Sequence, residues 1–236
     1  MKIHIIGLGN LGLFLARHFI ESGLQVSGWD IDPSKRTSLE SLGGSWMPQA
    51  KDTEIVVLAL FPEQVTRRQG LDSALLVNVS SVQQPGIAAL IEAGVDTRNI
   101  LSFHPLFGPV AVTKSGWAGK QIIVTMTPNE DARAATLLET FTRRGVTIDR
   151  MSPAEHDRKM LPHALAFLIG ELVKVGAENV DPRFLTGSGR QMLGLLDFTD
   201  VASPKLRHLI LSNPELKAVV PKLRKVLEDR SAVHRW

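Results

Sequence analysis

Short apolar runs alternate with segments of helical period over roughly the first 150 residues of the 236-residue chain, and beyond that only the helical period remains. The runs at 3–6, 25–29, 54–60, 74–79, 99–103, 121–127 and 146–149 predict strands, with a weaker one at 45–47. The stretch 54–60 holds Ile-Val-Val-Leu-Ala-Leu without interruption, as a strand covered on both faces should. Between the strands, helical spacing predicts helices that begin near Leu13 and cover 34–42, 84–93 and 130–143. Strands alternating with helices predict an α/β fold, a Rossmann-type doubly wound, mostly parallel sheet over residues 1–150. Ser152-Pro153-Ala154-Glu155 then carries the signals of a helix start, and Leu161, Leu165, Leu168, Ile169 and Leu172 mark a strongly apolar helix. Further helices follow near 189–196, 204–211 and 214–227. Residues 151–236 are thus expected to form a smaller all-helical domain, and so apolar a first helix predicts a homodimer.

Composition narrows the chemistry. The chain has no cysteine, which excludes disulfides and thiolate catalysis and points to a cytoplasmic protein. No apolar run reaches membrane-spanning length, so no membrane partner is expected. A net charge of +3 suits an anionic small substrate. The C-terminal basic residues Arg207, Lys217, Lys222, Arg224 and Lys225 lack interleaved aromatics, so they read as a solvated face and no nucleic-acid partner is expected.

Two stretches carry candidate chemistry. The first is Gly7-Leu8-Gly9-Asn10-Leu11-Gly12, between a strand and a helix at the start of the chain. Gly7 permits the tight turn, Gly9 lets a pyrophosphate approach the backbone, and Gly12 lets helix and strand pack closely. The phosphates would then sit at a helix N-terminus that starts with Asn10 and Leu11. The next strand ends in Asp30, where a carboxylate would take the ribose hydroxyls of NAD and repel a 2′-phosphate, or would only cap the turn before Pro33. Lys35 and Arg36 follow closely, so NADP remains possible. The second stretch is 102–109, Ser-Phe-His-Pro-Leu-Phe-Gly-Pro, too proline-rich on its face for helix or inner strand. It predicts a stiff loop presenting His104 as a catalytic base, the alternative being a histidine that plugs a turn. Loops at Phe61-Pro62, Ser80-Ser81 and His104-Pro105 all leave the carboxyl edge of the predicted sheet, where a nicotinamide would lie.

In that order, the glycine motif, His-Pro-Leu-Phe-Gly-Pro at 104–109, Glu-His-Asp-Arg-Lys-Met at 155–160 and Leu-Pro-His-Ala-Leu-Ala-Phe at 161–167 make the chain resemble the prephenate and arogenate dehydrogenases over essentially its whole length. The resemblance implies NAD-dependent oxidative decarboxylation of a cyclohexadienyl acid, prephenate first, with arogenate or an amino-deoxyprephenate as alternatives, in the making of tyrosine. It implies His104 as the base, Ser81 as a hydroxyl orienting histidine and substrate, and His163 as a ligand of a substrate carboxylate. Ser81 otherwise reads as a helix cap, and His163 as a buried histidine with its needs met. Two departures stand out: the segment between Glu155 and Leu161 is a few residues shorter than the family pattern, and the family's carboxylate-binding arginine falls on Phe198 while a usual aromatic falls on Arg207. An exchange of roles would let Arg207 or Arg190 supply the guanidinium. The rival readings are another hydroxyacid or imine dehydrogenase with a helical tail, and a catalytically impaired dinucleotide-binding protein.

Overall fold

The computed structural model describes residues 1–66, 74–177, 181, 183, 185–200 and 202–231. The chain separates into two compact units, Met1–Pro153 and Ala154–Trp236.

In the first unit, eight strands form one sheet in the order β3-β2-β1-β4-β5-β6-β7-β8. The strands are β1 (Lys2–Ile6), β2 (Gln25–Trp29), β3 (Ser45–Trp46), β4 (Ile55–Leu58), β5 (Leu75–Asn78), β6 (Ile100–Pro105), β7 (Gln121–Met126) and β8 (Thr147–Arg150). All neighbours are parallel except β6 and β7. The helices are α1 (Asn10–Glu21), α2 (Lys35–Ser41), α3 (Gln83–Glu92), α4 (Pro109–Ser115) and α5 (Ala132–Thr142). Strand order reverses between β1 and β4, the crevice at which doubly wound sheets bind dinucleotides.

Because side chains alternate along each strand, the pleat sorts the core into two layers. Ile3, Ile5, Val57, Val77, Leu101 and Phe103 pack with α1 and α5 on one face. Ile6, Val56, Leu58, Leu76 and Ile100 pack with Leu90 of α3 on the other. β4 reads as an unbroken apolar run because both of its faces are covered.

The segment 102–109 departs from expectation. It is not a loop: Ser102 through Pro105 complete β6 inside the sheet, and Pro109 opens α4 as its first residue. Parallel pairing with β5 stops at Ser102, whereas pairing with β7 runs on to Pro105, opposite Ile122. Leu106 donates its N–H to Gln121 O across β7, so the nitrogen of Pro105 points to the side where the ladder has ended. A missing N–H costs nothing there. At α4 the proline occupies the first helical position, where an N–H would have no partner within the helix.

In the second unit the helices are α6 (Pro153–Lys159), α7 (Leu161–Ala177), α8 (Gly187–Asp200), α9 (Pro204–Leu211) and α10 (Pro214–Ser231). Its small core gathers Ala164 and Phe167 of α7 with Ala202, Ile210 and Leu216. Among the described residues no helix is long and apolar enough to cross a membrane.

Candidate active site

The glycine motif forms the turn between β1 and α1. Gly7 has φ +92°, a left-handed conformation that only glycine adopts cheaply, and a side chain there would also meet Ala59 O at 2.4 Å. A Cβ on Gly12 would lie 1.9 Å from Gly7 O, so the helix could not pack this closely on any other residue. Gly9 is exposed and has open space where a side chain would be. It precedes Asn10, and no side chain caps the N-terminal N–H groups of α1. Backbone donors at a helix start, with room above them, fit a pyrophosphate.

Asp30, at the end of β2, is half-buried and ties two turns together. Its Oδ2 accepts from Leu8 N at 2.5 Å and its Oδ1 from Asp32 N at 2.9 Å. The turn-capping role and the dinucleotide role are therefore compatible, since each carboxylate oxygen retains a lone pair for a ribose hydroxyl. Lys35 pairs with Asp32 at 3.6 Å and Arg36 with Glu40 at 2.9 Å, so the two cations near Asp30 already have carboxylate partners. Phe61 is half-buried ahead of a short 3-10 turn, Pro62–Gln64, where its N–H is taken by Gln64 Oε1 at 3.1 Å.

At the carboxyl ends of β5 and β6 lies a set of polar residues that no motif announced. Asn78 Nδ2 donates to Ser102 Oγ at 2.7 Å, and Ser102 Oγ donates to Gln83 Oε1 at 2.7 Å. Gln83 Nε2 donates to Ser80 O at 2.5 Å, and Ser80 N donates to Asn78 Oδ1 at 3.2 Å, which closes a ring. Thr125 Oγ1 adds a second donor to Gln83 Oε1. All five residues are buried, and Gln83 and Ser102 are fully so. A Cβ at Gly86 would fall 2.7 Å from Asn78 Oδ1, so α3 can close over this ring only with glycine at that point. The hydroxyl of Ser80 is buried without a partner.

His104 stands two residues beyond Ser102 on β6 and is 8% exposed. The pleat puts the two on one face, the face that α3 covers. The expected loop platform is thus a strand end, anchored from below by the polar ring. Ser81 is half-buried in the turn between Asn78 and α3, whose N-cap is Val82.

Residues 2–79 match the model of the NAD binding domain of 6-phosphogluconate dehydrogenase. Arogenate dehydrogenase 1, chloroplastic, of Arabidopsis thaliana is 28% identical over 199 residues, 73% of this chain and 30% of that protein. Its counterpart arogenate dehydrogenase 2 is 29% identical over 66% of this chain and 48% of its own length. The chain therefore spans less than half the length of these curated relatives. The solved prephenate dehydrogenase of A. aeolicus, in complex with hydroxyphenyl propionate and NAD+, superimposes with a TM-score of 0.70 at 21% identity, covering 99% of this chain and 90% of that one. That likeness is one of fold.

The chain is similar to arogenate dehydrogenases in sequence and to a prephenate dehydrogenase in fold.

In the helical unit, the residues that the resemblance singles out have unequal surroundings. His163 on α7 is half-buried, edge-on to Phe167 with ring centroids 5.1 Å apart, and burial lowers its pKa. Burial thus favours the neutral imidazole over the cation. Arg207 on α9 is committed to Glu171, which accepts from its Nη1 at 3.0 Å and also sits 3.5 Å from Lys174. Arg190 is exposed on α8. The side chain of Phe198 lies outside the described residues. His156 and Asp157 form a buried pair at 2.8 Å, and Asn213 Nδ2 donates to Asp157 O at 2.8 Å, which fastens α6 to the start of α10.

Proposed function

We propose that the chain is an NAD-dependent dehydrogenase that oxidatively decarboxylates a cyclohexadienyl acid, prephenate in the first instance, with His104 as general base. The observation that carries the reading is a buried histidine at the carboxyl end of β6, on the sheet whose opposite half carries the glycine turn. Bound NAD would supply the hydride acceptor. The nucleotide would be held by Gly7, Gly9, Gly12 and the first N–H groups of α1, with Asp30 on the ribose and Phe61 nearby in sequence on the next strand-end turn. The paired state of Lys35 and Arg36 favours NAD over NADP.

His104 takes the proton of the ring hydroxyl as the ring carbon that bears it loses hydride. The carbon–carbon bond to the ring carboxylate then breaks, its electrons complete the aromatic ring, and carbon dioxide leaves. The imidazolium returns its proton to the phenolic oxygen. Ser81 is the hydroxyl assigned to orient His104 and substrate, and His163 and Arg190 are the helical-unit groups assigned to the substrate carboxylates. Arg207, held by Glu171, is the weaker candidate for that task. Arogenate is the second reading, favoured by the two curated relatives. Assays of prephenate, arogenate and an amino-deoxyprephenate with NAD and with NADP decide among them; no turnover of any of the three would refute the reading.

A homodimer formed through the helical unit is part of the proposal. Ile169, Leu172 and Val175 of α7 are 38%, 52% and 76% exposed and line one side of the helix, and a second copy is the partner that would cover them. Light scattering should give twice the chain mass, and Leu172→Glu should give the monomer. Residence in the cytoplasm is proposed on the cysteine-free sequence.

A further inference from the structure

We propose that Gln83 is a positioning residue, whose buried amide ties the Ser80-Ser81 turn to the β6–β7 pair and so fixes where His104 stands at the sheet edge. The inference deepens the function proposed above and depends on it for its catalytic part only.

The case rests on how many elements meet at one side chain. Gln83 is fully buried at the first position of α3. Its Oε1 accepts from Ser102 on β6 and from Thr125 on β7, while its Nε2 donates to the carbonyl of Ser80 in the turn that follows β5. One amide thus fastens three successive neighbours of the sheet. Thr125 reaches the ring because β7 carries a bulge there: Ser102 pairs with Met126 and Phe103 with Val124, which leaves Thr125 as the extra residue.

Position matters here because β6 loses its β5 partner at Ser102. His104 is about 7 Å further along the strand, where the pairing is with β7. On the α3 face, the Ser102 clamp stands two residues before it. The clamp also fixes orientation, since each amide in the ring donates and accepts in one sense only. A structural residue of ordinary kind would be apolar at this depth. Five polar side chains gathered under one histidine need another reason, and holding that histidine in register is the one the geometry supplies.

The test reads the imidazole directly. In histidine-labelled protein, the His104 resonance is assigned by its loss in His104→Asn. Gln83→Met keeps the volume and removes the hydrogen bonds to Ser80, Ser102 and Thr125. It should move the His104 signal and shift its titration midpoint by about half a pH unit or more, with His4 and His18 unmoved. In turnover it should lower kcat about tenfold or more and leave KM for NAD within about twofold. Gln83→Glu supplies a conditional rescue: a protonated carboxyl accepts through its carbonyl and donates through its hydroxyl, so the wild-type His104 signal should return at low pH and vanish as the carboxyl ionises. Ser102→Ala and Thr125→Val remove single links, give smaller movements, and decide the matter should Gln83→Met not fold. A His104 signal and titration identical to wild type in the folded variants would overturn the proposal. A wild-type protein inert toward every cyclohexadienyl acid would sink the functional reading and leave the resonance comparison standing.

Discussion

His18 should make the first unit acid-sensitive in a way that can be measured and removed. The ring is fully buried between α1 and α5, stacked on Phe141 at 4.2 Å and close to Trp117 at 4.7 Å. Its Nε2 lies 2.9 Å from Thr140 Oγ1, and that hydroxyl already donates to Leu137 O, so Nε2 carries the hydrogen. Nδ1 is buried without a partner. Desolvation, and secondly the charge of Arg144, lowers the pKa from 6.5 to about 3. The unfolded chain therefore takes up a proton below pH 6.5 that the folded chain refuses until about pH 3. The neutral form's advantage is complete above 6.5 and declines as pH falls toward 3. Each unit of pH in that window costs about 1.4 kcal/mol, so about 2.5 kcal/mol disappears between pH 7 and pH 4.5. For a unit of this size that corresponds to a Tm lower by about 5–10 °C. The comparison is between wild type and His18→Gln, which keeps a donor for Thr140 and cannot ionise, by urea or thermal unfolding at half-unit steps of pH. Other titrating groups cancel in the difference. The two stability curves should diverge as the pH falls below 6.5, wild type falling faster; parallel curves would refute the argument whatever the absolute stability of the variant.

The remaining expectations concern the site and its supports. His104→Asn should leave NADH binding by fluorescence intact and lower kcat by about 100- to 10,000-fold, and a near-normal rate would reject His104 as the base. Gly86→Ala forces a methyl to within 2.7 Å of Asn78 Oδ1, so it should lower stability by about 2 kcal/mol or more in denaturant unfolding. Ser80→Ala removes a buried hydroxyl that has no partner and should leave stability unchanged or raise it by up to about 1 kcal/mol; a clear loss would show that the hydroxyl is satisfied after all. Arg190→Ala should raise KM for the acid substrate well above the effect of Arg207→Ala, since Arg207 is occupied by Glu171; the reverse order would return the carboxylate to Arg207.

The central strands β4 and β5 could be read from the sequence because their burial is two-sided, which makes Ile55–Leu58 and 75–77 apolar throughout; β2 begins and ends where its pattern does. The glycine turn was equally visible, since its requirements are local: one positive φ and one helix packed against its own preceding turn. His104 stands out for its neighbours in sequence, but the structure sets it at a strand end and not on a loop. Pro105 looks incompatible with an inner strand until it is known that β5 stops three residues earlier, and Pro109 looks like a breaker until it is seen to begin α4. The polar ring could not be read at all, because Asn78, Gln83, Ser102 and Thr125 are joined only by the order of strands. A faint signal exists: each of the three strand residues is a small polar side chain at the same pleat phase of an apolar run, close to the strand's carboxyl end in β5 and β7. The pairing of Arg207 with Glu171 likewise spans two helices and has no local mark.

Beyond Ser102, three residues of β6 pair with β7 and no longer with β5. A displacement of β7, from a repacked α5 or β8, would pass along that ladder to the imidazole. A selection for altered turnover would then recover changes at Ile122 or Ile123 as readily as among residues that touch a ligand, and the outer layer of the sheet would serve as a remote tuning handle for its working edge.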